Sequence, residues 1–160
     1  MKIDIKPHEG INDIVFGLNN KAVSLKLGAP ESTKEKSTFQ FNDISIPEPK
    51  TDYYFNNSLQ ISYDEYDKVE FIEIASKESN LEISIYGFKL NEVSAEEIIS
   101  FLTMEKKLKY DKNGEEFPYT YNFVDIDLTF WRQVLPENKK DEDGKYFDTV
   151  GIGKIGYLKK

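Results

Sequence analysis

The sequence predicts an α+β fold, in which antiparallel sheets pack with two short helices. Two segments carry helix-capping residues and a helical spacing of apolar side chains, and several others alternate between apolar and polar residues. Short polar turns, rather than helices, join the alternating segments. Strands connected in this way form hairpins, which favours antiparallel sheets and the α+β class.

The first helix is expected after an opening strand or arm that ends in a turn at residues 7–10. An asparagine of the pair Asn19-Asn20 can cap its start, and Gly28 and Pro30 stop it in the usual order. About two turns of helix lie between these signals, too few to be stable without packing against the rest of the chain.

Strands are predicted after this helix. Residues 31–52 are polar and interrupted by prolines, so only one strand is expected within them. The predicted strands are residues 39–41, 52–57, 59–63 and 69–75. In the last of these the alternation slips between Phe71 and Ile72, which predicts either a β-bulge or burial of both faces.

The later part of the chain repeats this order of helix and strands. A strand at residues 81–85 precedes the capping box Ser94-Ala95-Glu96-Glu97, which begins a helix expected to reach about Met104. Further strands are expected around residues 119–130 and 147–158. The glycines in the last one are expected to relieve strand curvature or to permit close packing.

The length of 160 residues suits one domain with a core of its own. An aromatic-glycine step precedes each helix, Phe16-Gly17 in one case and Tyr86-Gly87 in the other. We therefore expect a single domain, residues 1–160, that contains two structural halves, residues 1–80 and 81–160.

Composition argues against several classes of function. The absence of cysteine rules out disulfides, thiol nucleophiles and thiolate metal ligands. His8 and Arg132 are the single histidine and the single arginine, which leaves little for a catalytic triad or a phosphate clamp. The glycines of residues 151–156 have the spacing of a dinucleotide motif but do not open a helix. We expect a protein that is not an enzyme and has no catalytic residue, metal or cofactor.

The acidic clusters leave some other chemistry open. Residues 141–144 resemble the middle of an EF-hand loop, but the required carboxylates at loop positions one and twelve are missing. The tip residues Asp64, Glu65 and Asp67 could hold a weakly bound ion, although an acidic hairpin tip is the simpler interpretation. Asp125 and Asp127 could in principle act as a glycosidase pair, but nothing else indicates a sugar cleft.

The net charge of −8 is concentrated in two blocks. Residues 43–73 hold eight acidic and two basic side chains, a net −6, and residues 115–149 hold nine and four, a net −5. Such a surface repels nucleic acid and anionic membranes and attracts basic proteins, unless it serves only to keep the protein dissolved. With no signal-like apolar run at the amino terminus and no stretch approaching 18 apolar residues, the expected compartment is the cytoplasm.

The most informative local pattern is the row Asp125, Asp127, Thr129 and Trp131. The alternate row, residues 124, 126, 128 and 130, is apolar and expected to face the core, which directs the first row outward. An outward tryptophan beside carboxylates is typical of a protein-binding surface, and the alternative is that a second layer covers it. The turn at residues 64–67 repeats this pairing of acids with an aromatic ring. The expected partner-binding residues are Asp64, Glu65, Tyr66, Asp67, Asp125, Asp127 and Trp131.

The early helix and the strands after it resemble a known family. Phe16-Gly17-Leu18 through Leu27-Gly28-Ala29-Pro30, followed by the strands at 59–64 and 69–74, is similar to small bacterial immunity proteins of polymorphic toxin and contact-dependent growth inhibition systems. The helix that ends in L-G-x-P before a meander also resembles the halves of beta-lactamase-inhibitor-like domains. The resemblance covers mainly residues 10–75.

The immunity resemblance implies a cytoplasmic, non-enzymatic protein that binds and blocks a cognate toxin domain, often a basic nuclease. The alternatives are a structural or adaptor domain with an acidic surface, or a small ligand-binding domain or hydrolase. The identity of the partner and the oligomeric state stay open.

Overall fold

Two α-helices and fourteen strands make up the described part of the fold, which confirms the α+β class. The structure is a computed structural model that describes residues 1–77 and 79–159. The helices are α1 (Asn20–Leu27) and α2 (Ala95–Ser100). The strands are β1 (Lys2–Lys6), β2 (Gly10–Ile11), β3 (Ile14–Val15), β4 (Ser32–Lys34), β5 (Ser37–Phe41), β6 (Ile44–Glu48), β7 (Lys50–Tyr54), β8 (Leu59–Tyr63), β9 (Val69–Ala75), β10 (Glu82–Ile85), β11 (Phe88–Lys89), β12 (Thr120–Phe123), β13 (Leu128–Trp131) and β14 (Thr149–Gly153).

Three sheets form from these strands. A five-stranded sheet has the order β11-β10-β1-β2-β3, and a seven-stranded sheet has the order β12-β13-β14-β9-β8-β7-β4. Among the strands of the described residues, β5 and β6 pair only with each other. The β1–β10 pair is parallel, and the other pairs of named strands are antiparallel, as hairpin connections predict.

Both large sheets combine strands from residues 1–80 and residues 81–160. The meander β7-β8-β9 and the meander β12-β13-β14 meet where β9 pairs with β14. In the smaller sheet, β1 of the first half pairs with β10 of the second. One cluster of buried side chains includes residues of both sheets and both helices, so the two halves share their hydrophobic core.

The helix signals in the sequence correspond to observed caps. The Asn19 side chain accepts a hydrogen bond from the Ala22 N–H at 2.9 Å, and Gly28 follows α1 with a φ of 89°. At α2, Ser94 and Glu97 form the predicted reciprocal capping box. A π-helical turn, Phe101–Glu105, continues α2, so helical backbone ends about where the sequence predicts.

The irregularity in β9 is a β-bulge. Ser62 pairs with Phe71, but the next residue, Tyr63, pairs with Val69, so Glu70 is the extra residue on β9. The bulge lets both Val69 and Ile72 face the core, although strict alternation would turn one of them outward. This outcome matches one of the two alternatives that the sequence left open.

The segment at residues 31–52 departs most from expectation. It contains β4, β5, β6 and the start of β7, where one strand was expected. β5 and β6 form a projecting hairpin, here called the arm (Ser37–Glu48), whose residues 37–47 are all exposed. Its tip is a two-residue turn, with Asn42 in the left-handed region at a φ of 53°.

Candidate functional site

The acidic turn (residues 64–67) joins β8 to β9 and has a fixed shape. The Asp64 Oδ1 accepts hydrogen bonds from the N–H groups of Tyr66 at 2.9 Å and Lys68 at 3.1 Å. A side chain bonded in this way to the backbone two residues later sets the course of the turn. Asp67 is in the left-handed region with a φ of 56°, a conformation that aspartate tolerates better than most residues.

Asp64 and its neighbours differ in how much charge they offer. The Lys154 Nζ lies 3.3 Å from both the Asp64 Oδ2 and the Glu70 Oε2, so it compensates these two carboxylates. Burial opposes ionisation of Asp64, but the hydrogen bonds from Lys68, Tyr66 and Lys154 outweigh it and lower its pKa. Asp64 is therefore ionised, and its carboxylate is engaged in holding the turn and in the ion pair with Lys154.

The other three residues of the acidic turn are presented to solvent. Glu65 and Asp67 are exposed and form no ion pair within the described residues, and Tyr66 is 73% exposed. Within the described residues, the turn thus holds an aromatic ring between two carboxylates that form no ion pair. This is the arrangement that the sequence predicts for Glu65, Tyr66 and Asp67.

A groove of about 560 Å³ separates the acidic turn from the base of the arm. At the base of the arm, the Lys36 side chain spans this groove, and its Nζ donates a hydrogen bond to the Glu65 carbonyl oxygen at 2.8 Å. The residues that line it include Ser37, Pro47, Glu48, Tyr63, Asp64, Tyr66 and Lys154. Arm and turn therefore border one continuous surface, a connection that nothing in the sequence indicates.

The second predicted group does not form one outward row. A 3₁₀ helix at Val124–Ile126 interrupts the expected strand, and Asp127 follows it in the left-handed region with a φ of 49°. Asp125 is exposed, but Asp127 is 1% exposed. The expectation that Asp127 lies on the surface is wrong, because the change in backbone direction rotates its side chain inward.

Buried Asp127 is an anchor for the carboxyl-terminal segment. Its Oδ2 accepts from the Gly156 N–H and its Oδ1 from the Leu158 N–H, each at 2.8 Å. The His8 Nε2 lies 3.2 Å from the same Oδ2, but the ring is not aligned for a hydrogen bond. The carboxylate thus brings together three parts of the chain that are distant in sequence. Because it is buried there, its role is to stabilise the fold and not to contact a partner.

Trp131 ends β13 with 38% of its surface exposed. Its strand neighbours are Thr120 and Thr149, on the face of the seven-stranded sheet opposite the core. The alternative that a second layer covers this side chain therefore does not describe the structure. Asp125 precedes β13 and Trp131 ends it, so the whole strand lies between them.

The strand register places the predicted residues at two ends of this sheet. Tyr63, Val69 and Leu128 lie at the end that carries the acidic turn and Asp125, here called the acidic end. Trp131 lies at the opposite end, in register with Thr149, which pairs with Ala75. The structure therefore brings the exposed acids to one end and keeps the tryptophan away from them.

Glu73 is a half-buried carboxylate on the outer face of the same sheet, between Gln60 and Gly151. Burial raises its pKa above the ordinary value of 4.5. A carboxyl with a raised folded-state pKa adds stability below its unfolded-state pKa and loses that contribution as the pH rises through its folded-state pKa. Ionised Glu73 therefore costs stability at neutral pH.

We expect Glu73→Gln to raise the free energy of unfolding at pH 7 by about 0.5 kcal/mol, a small figure because Glu73 is partly solvated. The gain should disappear below about pH 4, where the wild-type carboxyl is also protonated. Urea unfolding at both pH values measures this. Glu82→Gln is the control, since ion pairing with Lys89 lowers the pKa of that exposed carboxyl. A gain of equal size in both variants would contradict the assignment.

Within residues 1–77 and 79–159, no group of three or more His, Asp or Glu side chains is placed to hold a metal ion. No helix in the described ranges is both long and apolar enough to cross a membrane. Comparison of the chain with protein-family models, with characterised proteins and with solved structures gave no match.

Proposed function

We propose that the chain is a cytoplasmic immunity protein, which binds and neutralises a cognate toxin domain of basic surface, such as a nuclease. The observation that carries this proposal is the acidic turn, where Glu65 and Asp67 flank the exposed ring of Tyr66 and pair with no lysine or arginine in the part of the chain that the structure describes. An aromatic anchor with a charged rim is a common composition of protein-binding sites. The proposed action is stoichiometric blocking, without catalysis by this chain.

The fixed geometry of the turn supports recognition by the folded state. Because Asp64 holds the backbone of the turn by two hydrogen bonds, little backbone conformational entropy is lost when a partner buries Tyr66. Lys154 compensates Asp64 and Glu70, so the charge offered to a partner comes from Glu65, Asp67 and, at the same end of the sheet, Asp125.

The distribution of charge supports a basic partner over a neutral one. A net charge of −8 attracts a basic protein from a distance, and exposed carboxylates gathered at the acidic end orient the encounter. Such steering acts mainly on the association rate and weakens as salt screens it. Binding is therefore expected to depend on ionic strength through the rate of association.

The test uses the protein domain encoded by the reading frame beside this chain's gene, purified and catalytically inactivated. We expect the double variant Glu65→Lys, Asp67→Lys to bind it at least about tenfold more weakly, mostly through slower association. Surface plasmon resonance across a salt series measures both rates. The double variant Glu105→Lys, Glu115→Lys is the control, because it makes the same change in net charge at exposed positions outside the acidic turn.

The proposal is contradicted if the two double variants lose affinity equally, since only net charge would then matter. It is also contradicted if wild-type affinity is the same from low to high salt. Failure of the wild-type protein to bind the neighbouring gene's domain, or to protect cells that produce the active domain, would overturn it directly.

A further inference from the structure

The arm has one apolar face and one polar face. Cross-strand pairs Phe39–Ile46 and Phe41–Ile44 lie on the same face, because they are separated by two residues along each strand. Between them, Gln40 and Ser45 form a side-chain hydrogen bond of 2.7 Å on the other face. The arm is thus amphipathic, as a strand pair packed on a core would be.

No part of the described chain covers the apolar face. Phe39, Phe41, Ile44 and Ile46 are 52%, 58%, 62% and 45% exposed. Together they offer an apolar patch on the order of 400 Å². The largest apolar patch on a typical monomeric protein is about 300–600 Å² and is often functional, so the apolar face of the arm is a candidate binding surface.

The arm keeps its shape without burial against the core. Its two strands pair over five residues each, and the Ser37 hydroxyl donates to Glu48 at 2.7 Å at the base. Glu48 also pairs with Lys34 at 2.9 Å, which connects the arm to β4. Because the hairpin backbone is already formed, the arm loses little backbone conformational entropy when its apolar face docks on a partner.

We propose that the apolar face of the arm is the anchor of the partner interface, inserting into an apolar cleft of the same basic protein that the acidic turn meets. This inference rests on the proposed function and adds which surface of the chain supplies the apolar contact with the partner. The arm supplies apolar contact area, and the acidic turn, across the groove that it shares with the arm's base, supplies the charged rim.

The area of the patch favours a different protein over a second copy of the chain. Two arms packed face to face would bury on the order of 800 Å², less than the roughly 1,200 Å² that a stable interface needs. The arm together with the groove and the acidic turn can reach the roughly 800 Å² per partner of a standard interface. Continuity of arm and turn along the groove therefore indicates one partner that covers both.

The backbone of the arm also favours docking by its face rather than addition of a strand at the edge of β6. Pro47 has no N–H, so β6 lacks one donor that a further strand would need. Side-chain burial, and not an extended sheet, is therefore the expected source of affinity.

The test compares the binding of two double variants of the full chain to the inactivated domain encoded by the neighbouring reading frame. Phe41→Ser, Ile44→Ser removes the apolar pair nearest the tip, and Gln40→Ala, Ser45→Ala alters the polar face between the two apolar pairs. We expect the first to dissociate at least about tenfold faster, with an unchanged salt dependence of association, and the second to stay within about twofold of wild type. Because none of the four side chains is in the core, circular dichroism should report the same unfolding midpoint for both.

The outcomes separate this inference from the proposed function. If the wild type binds and the apolar variant binds equally well, the arm is not the anchor, whereas the proposed function stands. If the wild type does not bind, both fail. If sedimentation shows a micromolar dimer that the apolar variant dissociates, the face is occupied by a second copy and the inference is overturned.

Discussion

Replacing Asp127 with alanine is expected to lower the free energy of unfolding by about 2–4 kcal/mol, a large share of a small domain's stability. The carboxylate is buried and accepts from the N–H groups of Gly156 and Leu158. Alanine would leave both donors without these acceptors and would remove the neighbour of His8. Urea unfolding followed by circular dichroism measures the loss.

Two further variants make this expectation specific. Asp125→Ala is the matched control, because Asp125 is exposed on the same turn, and we expect a change within about 0.5 kcal/mol. Asp127→Asn keeps a side-chain oxygen as acceptor and should lose less stability than alanine. Faster amide hydrogen exchange at Gly156 and Leu158 in Asp127→Ala would locate the effect in the carboxyl-terminal segment. Equal stability of the two alanine variants would contradict the assigned role.

Elements with local signals were predictable from the sequence. The caps Asn19 and Ser94 act within three residues of themselves, so the pattern contains the whole interaction. The alternation in β8 is likewise local, because one face of the strand lies on the core. Even the bulge at Glu70 was visible as a slip in the alternation, one residue after its actual position.

The arm was not predictable to this extent, because its strands contradict the usual relation between pattern and burial. Ser, Thr, Gln and Pro alternate with Phe and Ile in this segment, a pattern that predicts a polar connection with a single strand. Strand prediction assumes that the apolar face meets the core, whereas the apolar face of the arm meets solvent. A hairpin with an exposed apolar row is recognisable only once its pairing is known.

Asp127 was misplaced for a different reason. A strict two-residue period through residues 124–131 assumes one unbroken strand, but a 3₁₀ helix occupies Val124–Ile126. Its partners, Gly156, Leu158 and His8, are distant in sequence, and no local pattern reports such contacts. Asp125 is exposed as expected, and of the two alternatives for Trp131 the structure has the exposed one.

The separation of Trp131 from the acidic end limits the kind of partner that could touch both. β9 spans seven residues, so the two ends of the sheet are about 20 Å apart. A partner that covers the arm, the acidic turn and Trp131 must extend along the whole outer face of the sheet. The arm and the acidic turn border one groove, so a smaller partner surface can contact both. Of the predicted partner contacts, Trp131 is therefore the least favoured.

The turn that brings His8 to Asp127 ends at Gly10. Gly10 has a φ of 136°, and a Cβ at this position would overlap the carbonyl oxygen of Ile14 in the adjacent strand. Because the overlapping atom belongs to backbone, β2 and β3 would have to separate, and the burial of Ile11 and Ile14 would be lost. We expect Gly10→Ala to lower the free energy of unfolding by about 3 kcal/mol or more.

Gly17→Ala is the matched control, because Gly17 also has a positive φ, 84°, but open space where the Cβ would lie. Gly17→Ala should lower the free energy of unfolding by only about 1 kcal/mol, the cost of a left-handed backbone conformation for a residue with a Cβ. Comparing the two by urea unfolding separates conformational strain from steric overlap. Equal losses would mean that β2 and β3 accommodate the methyl group, and then Gly10 would matter only for its φ angle.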